Sequence, residues 1–475
     1  MYEKEFEALS GLVKNSLEVK DGKVKVSDPA ALKANVEKLV EESSLGSGVT
    51  QMLARYLVRA AALELGIIPA SIHDLYIARG AGKVPNNFTV PAINLRVLSY
   101  EAARVVFSVA KKIKAGAFIF EIARSEMGYT DQPPTEYTTN ILGAAIKEGF
   151  TGKVFIQGDH FQVSAARYAK DAKAELQAVK DITAEAVKAG YYNIDVDTST
   201  LVDMSKKTVP EQQTLNYSIS AEMTAFIRQI EPKGVTVSVG GEIGEIGEQN
   251  STEEELRAYA DGYNAELAKL APGATGLSKI SIQTGTSHGG VVLPDGSIAK
   301  VSVDFDTLLH LSGVAREYGM GGAVQHGAST LPQEAFSKFV ESEAVEVHLA
   351  TNFQNIFYDN IPAELRDKIY AYLDKNHANE RKEGMTDDQF YYKTRKRALG
   401  PFKKQIMGMS DSVKEKVVKA WDAQFSLLFD QLAISDTAKY VDEFVNAPKI
   451  APKLEEYIAL AKAGTEQEDT SDLAD

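Results

Sequence analysis

From Val90 to Thr351 the chain alternates short β-branched apolar runs with longer amphipathic stretches, a pattern that predicts βα units building a parallel sheet. Eight such runs occur: VPAIN from Val90, AFIFEIA from Ala117, VFIQGDH from Val154, YNIDVDTS from Tyr192, VTVSVGGEIG from Val235, KISIQTGTSHGG from Lys279, GAVQHGAS from Gly322 and VEVHLAT from Val345. Helical patterns lie between them, such as SYEAARVVFSVAKKI with Ser99 as its expected N-cap, and the stretch after Ser251, where Ser251 and Glu254 read as a capping box. Eight alternations over roughly 250 residues predict closure into an α/β (β/α)₈ TIM barrel. Residues 1–89 are expected to form a helical N-terminal extension, 90–359 the barrel, 360–463 a helical C-terminal extension and 464–475 an acidic, disordered tail.

Within the barrel pattern the strand beginnings are apolar and the ends are polar: QGDH, DVDTS, GGEIGE, TGTSHGG and QHGAS. The C-terminal ends of barrel strands and the loops after them build the active site, so five neighbouring runs place their unusual residues on one face.

Composition then narrows the chemistry. The chain has no cysteine, which excludes disulfides, thiolate metal sites and thiol nucleophiles; any metal must use His, Asp or Glu. A formal net charge of −14 argues against nucleic acid and anionic lipid as partners. No long apolar run and no leader-like start are present, so a cytoplasmic protein without a membrane span is expected. With this charge, an anionic substrate needs a locally positive site.

Of seven histidines, His160, His288 and His326 stand at the ends of the third, sixth and seventh runs, where they face one cavity. Three imidazoles with an open position suit Zn²⁺ or another first-row divalent ion acting as a Lewis acid. A lone histidine is more often structural, which is the reading kept for His73, His310 and His377. Asp159, beside His160, could move a proton at a substrate oxygen; its blander role is a helix cap. Glu242, Glu245 and Glu248 sit on and after the fifth run among glycines, which suits a closing loop that carries a base as well as it suits a solvated acidic loop. Small residues beside His288 and His326, with Ser329 and Thr351 on the late strands, suit phosphate.

Taken together and in order, these motifs resemble the class II, metal-dependent fructose- and tagatose-bisphosphate aldolase family across about Val90 to Thr351. The family's first strand resembles PAINL with Asn94, and its serine after strand two matches Ser125; H-x-D-H resembles QGDH, which implies Asp159 as acid/base and His160 as metal ligand. MIDGS resembles DVDTS, placing Asp197, as a metal-site residue, and Ser199, and VEAELG resembles VGGEIG, matching Glu242 to a metal-site glutamate. GTSHGG and HGAST carry over His288 and His326 as ligands, and Gly289, Gly327 and Ser329 as phosphate contacts. YYKTRKR resembles a segment whose arginine reaches a neighbouring subunit's phosphate, which points to Arg395 and to a homo-oligomer.

The resemblance implies zinc-dependent, reversible cleavage of fructose 1,6-bisphosphate to dihydroxyacetone phosphate and glyceraldehyde 3-phosphate through a metal-stabilised enediolate. Glu248 (or Glu245) then acts as the loop base, and a monovalent cation is an optional further cofactor. Four positions depart from the pattern: Gln157 and Gly240 replace a histidine and a glutamate, and Glu346 and His348 stand where Lys and Asn are usual. His348 must then donate the hydrogen bond of the missing amide, ligate metal or serve different chemistry. Two alternatives stay open: an aldolase for tagatose bisphosphate or another ketose phosphate, and a non-catalytic aldolase-like subunit. Metal content and an aldol-cleavage assay discriminate them.

Overall fold

The computed structural model describes residues 2–244, 249–285, 293, 302–463 and 473. Its centre is a closed barrel of parallel strands: β1 (Val90–Asn94), β2 (Ile119–Ala123), β3 (Gly152–Gln162), β4 (Asn193–Asp197), β5 (Ser238–Glu242), β6 (Lys279–Ile282), β7 (Ala323–Gln325) and β8 (Glu346–Leu349). Each strand pairs with the next, and β8 returns to β1 with Val347 opposite Pro91 and His348 opposite Ala92. All eight predicted runs form strands, and the fold is the TIM barrel that the alternation implied.

These strands are buried along most of their length because helices cover one face and the barrel interior the other. The helix ends follow local chemistry, with two shifts from the sequence reading. Thr252 rather than Ser251 caps the helix Glu253–Leu270, forming a capping box with Glu255, while the Ser251 hydroxyl accepts from the Gln283 N–H at 2.9 Å. Ser99 is the first helical residue rather than the cap, and its hydroxyl lies within hydrogen-bond reach of two acceptors, the carbonyl of Leu95 and Gln132 Oε1.

The flanks brace the barrel. Ile67–Ala70 pairs in parallel with the first half of β3, extending the sheet below the barrel. The following helix, His73–Gly80, sends the fully buried Tyr76 into the interior, where its hydroxyl donates to Glu346 at 2.5 Å. Leu17–Lys20 and Lys23–Val26 form an antiparallel hairpin. The helices Gly48–Glu64 and Leu454–Ala463, one from each flank, lie together with Tyr56 and Tyr457 edge to face at 5.7 Å. Asp411–Gln431 packs along Ser99–Ile113, and the buried Trp421 donates its indole N–H to the carbonyl of Phe353 at 3.0 Å. Among the described residues no helix is long and apolar enough to cross a membrane.

Candidate active site

Strand alternation sends residues i and i+2 to the same face, so the barrel interior receives paired side chains from each strand. The lower layer holds Glu121 (β2), Gln157 (β3), Asp195 (β4), Lys279 (β6) and Glu346 (β8), with Gly240 of β5 between Asp195 and Lys279 in the register. Two residues further along lie Asp159, Asp197, Glu242, Ser281 and His348. His326, just past β7, completes this upper layer: its ring lies 4.4 Å from that of His160 and 3.9 Å from that of His348.

Asp159 and His160 are adjacent, and regular alternation would send them to opposite faces. β3 breaks the rule: its register against β4 shifts between Gly158 and Phe161, and His160 takes a left-handed φ of 39°. Gly158 is needed here because a Cβ would run into the Phe161 ring. Such bulges re-aim side chains beside functional sites, and a strained non-glycine φ there carries a cost that the surroundings must offset. The result is that both Asp159 and His160 converge on the other donors.

His160 Nδ1 lies 3.3 Å from both Asp197 and Glu242, and Asp159 stands 3.7 Å from its Nε2. Burial opposes the charge on His160, but Asp159 and Glu242 outweigh it and lift the imidazole well above its ordinary value. Burial, followed by the Asp197 carboxylate, pushes Glu242 up to about 7. Asp197 goes the other way: despite burial, bonds from His160, Ser199 and Gln162 hold it below its usual value. His348 is enclosed by carboxylates, with Nδ1 at 3.0 Å from Glu121 and 3.2 Å from Asp159, and Nε2 at 2.7 Å from Glu346.

Two sets of ligand atoms come within 4.8 Å of one another around His326: His160 with Glu242, and Asp159 with His348. A third set, Glu121, Glu346 and His348, lies deeper. The donor set fits a divalent cation: mixed imidazole and carboxylate, buried, and crowded with negative charge that a cation would neutralise. Of the remaining predicted residues, Asn94 is buried at the end of β1 and donates to Glu126 at 2.6 Å, and Ser125 is buried at the start of the helix after β2. Gly327 adopts φ 70°, a left-handed turn after β7 that favours glycine. The Ser329 hydroxyl accepts from the N–H of Ala350 at 2.6 Å, tying the β7 loop to the end of β8, where Thr351 opens the next helix. Glu245, Glu248, His288 and Gly289 lie outside the described residues. Arg395 packs within its own chain, stacked on Tyr358 at 4.7 Å and Tyr392 at 4.6 Å and donating to Asn355 at 2.6 Å.

Glu121, Asp195 and Lys279 did not enter the sequence reading, nor did Arg96, which joins Lys396 and Arg397 of the YYKTRKR segment in a group of cations beyond β1. Arg96 pairs with Glu126 at 2.5 Å, and Lys396 lies 5.7 Å from the Tyr129 ring. Burial, with Arg96 and Arg397 next in strength, lowers Lys396 to about 7.

Gly240 gives a direct stability test. A Cβ there would collide with the Asp195 carboxylate and stand 2.9 Å from Lys279 Cε. Gly240→Ala is therefore expected to cost about 1–3 kcal/mol in urea unfolding, as overpacking does. Gly313→Ala, on a helix where the nearest atom is an arginine tip 4.0 Å away, should be neutral or stabilising. Equal effects at both positions would reject the packing argument.

A family model for class-II fructose-bisphosphate aldolase matches residues 83–420. A probable tagatose 6 phosphate kinase from Sinorhizobium meliloti 1021 is similar at 15% identity and TM-score 0.52, covering 81% of this chain and 100% of that one. A fructose-bisphosphate aldolase from Campylobacter jejuni aligns at 17% identity and TM-score 0.44 over 78% of this chain and 97% of its own. A fructuronate-tagaturonate epimerase from Cohnella laeviribosi aligns at 10% identity and TM-score 0.48 over 91% and 90%.

Proposed function

The chain belongs to the class-II fructose-bisphosphate aldolase family, and on that footing we propose that it catalyses reversible aldol cleavage of a ketose 1,6-bisphosphate, fructose 1,6-bisphosphate foremost, to dihydroxyacetone phosphate and glyceraldehyde 3-phosphate. The observation that carries this reading is the convergence of His160, Glu242 and His326 beside Asp159 and His348 at the C-terminal mouth of the barrel.

His160, Glu242 and His326 would hold a divalent cation, zinc foremost, with Asp197 orienting His160 and with His288 as a further ligand on the sequence pattern. The cation supplies Lewis-acid polarisation of a substrate carbonyl. Asp159 holds and moves the proton at the C4 oxygen of the sugar; its place on the bulge puts it against His348 and not out in solvent. His348 donates a hydrogen bond to the oxygen that gains charge as the C–C bond breaks, taking the part of an amide donor. The proton that the three-carbon product gains on cleavage, and loses in the reverse direction, falls to Glu248, with Glu245 three positions before it in the sequence.

The substrate's charge requires cations in an otherwise acidic protein. Gly327, Ser329 and Thr351 suit one phosphate at the late strands. Asn94, Ser125 and the cations Arg96, Lys396 and Arg397 suit the other, because an anion beside Lys396 would favour the ammonium that burial, and after it Arg96 and Arg397, disfavour.

The test is release of dihydroxyacetone phosphate, read by a coupled reductase, from a panel of fructose and tagatose 1,6-bisphosphates and their monophosphates. Cleavage of a bisphosphate at least about tenfold above the monophosphates is expected. Cleavage of none of them by metal-loaded protein would reject the reading.

A further inference from the structure

Beneath the candidate metal ligands lies a buried polar hub centred on Lys279. Its ammonium is 2.8 Å from Gln157 Oε1, 2.9 Å from Asp195 Oδ1 and 2.5 Å from Glu346 Oε1, and its side chain is 1% exposed. Gln157 donates its amide protons to Glu121 at 3.0 Å and to Glu346 at 2.9 Å, and Tyr76 donates to the other oxygen of Glu346. Glu346 faces His348 Nε2 at 2.7 Å. The hub therefore joins β2, β3, β4, β6 and β8 one layer below Asp159, Asp197 and His348, and Gly240 leaves the room that Lys279 needs.

A lysine inside a barrel suggests an amine nucleophile. Here it is held as the ammonium by two carboxylates, whereas imine formation requires the neutral amine. Its Nζ also points at groups that support the site and not at the mouth.

We propose that Lys279 is a positioning residue: by fixing Glu346 and Asp195, its ammonium sets the ring orientation of His348 between Glu346 below and Asp159 and Glu121 beside it. The inference rests on reading the upper layer as the active site of a metal-dependent aldolase. Two discrete effects are separable. Neutralising buried carboxylates stabilises the fold, and holding Glu346 in one rotamer orients the imidazole.

The experiment compares full-length Lys279→Met with the paired variant Lys279→Met/Glu346→Gln, reading melting temperature, kcat and KM for the best bisphosphate, and the imidazole ¹⁵N resonances, with His348 assigned from His348→Gln. The single variant should melt lower. The paired variant should recover part of the melting temperature, because Glu346 no longer needs a counter-ion while Asp195 still does. Its kcat should still fall roughly tenfold to a hundredfold with KM within a few-fold, as a misplaced group does, and the His348 resonance should stay displaced. Wild-type kcat and a native His348 resonance in the paired variant would overturn the proposal and leave Lys279 a filler of charge. If the wild-type protein cleaves no bisphosphate, the functional reading fails, while the resonance still decides whether Lys279 orients His348.

Discussion

Asp159→Ala is expected to reduce turnover by about 10²–10⁴-fold, the range general acid–base groups usually supply, with the barrel intact by circular dichroism. Asp159 is 5% exposed and lies on the β3 bulge, 3.2 Å from His348 Nδ1 and 3.7 Å from His160 Nε2. Its loss takes one carboxylate from a crowded set, and Glu121 still faces His348 at 3.0 Å. Stability should therefore change little while the proton at the C4 oxygen loses its carrier. KM should move by only a few-fold, because the lost contribution belongs to the transition state. A kcat within about threefold of the wild type would remove Asp159 from the acid–base role.

His326→Ala should have the next largest effect and act by a different route. His326 is the one residue shared by the two donor sets of the upper layer, between His160 and Glu242 on one side and Asp159 and His348 on the other. Its loss should empty the site of divalent metal in elemental analysis. Activity should fall by roughly 10³-fold, since Lewis-acid stabilisation is worth several kcal/mol and each 1.36 kcal/mol is a factor of ten. His310→Ala is the control: His310 is exposed, pairs with Glu253, and should keep both metal and turnover. Full metal occupancy in His326→Ala, or equal loss in the control, would refute the ligand assignment.

Much of this was legible because two periodicities coincide in a barrel. Strands covered on both faces read as apolar runs, and polar residues clustered at their C-terminal ends, which exposed His160, Asp197, Glu242 and His326. The hub stayed hidden for the same reason. Glu121 and Asp195 lie inside the runs and Lys279 opens one, and at such buried positions a charge is tolerated only beside a partner; Lys279 finds Asp195 and Glu346 at separations of 84 and 67 residues. No local pattern encodes that pairing, although Glu346 and Gly240 at positions where the related motifs carry lysine and glutamate were its visible trace. The β3 bulge was likewise invisible, because it depends on a left-handed φ at His160, a residue type that gives little sign of it. The Leu17–Val26 hairpin departs from the helical flank expected for residues 1–89, and its signal is local: alternating valine and lysine around Asp21-Gly22, both with positive φ.

The central claim is that the upper layer activates a carbon acid with the help of a divalent metal, whichever aldehyde the enzyme accepts. Exchange of the C3 hydrogen of dihydroxyacetone phosphate with solvent deuterium, followed by proton NMR, tests it without any acceptor. The account predicts exchange by metal-loaded protein, its loss after chelation and its return when the metal is restored. Exchange that persists undiminished in chelated, metal-free protein, or its absence from protein shown to be fully metal-loaded, would contradict it.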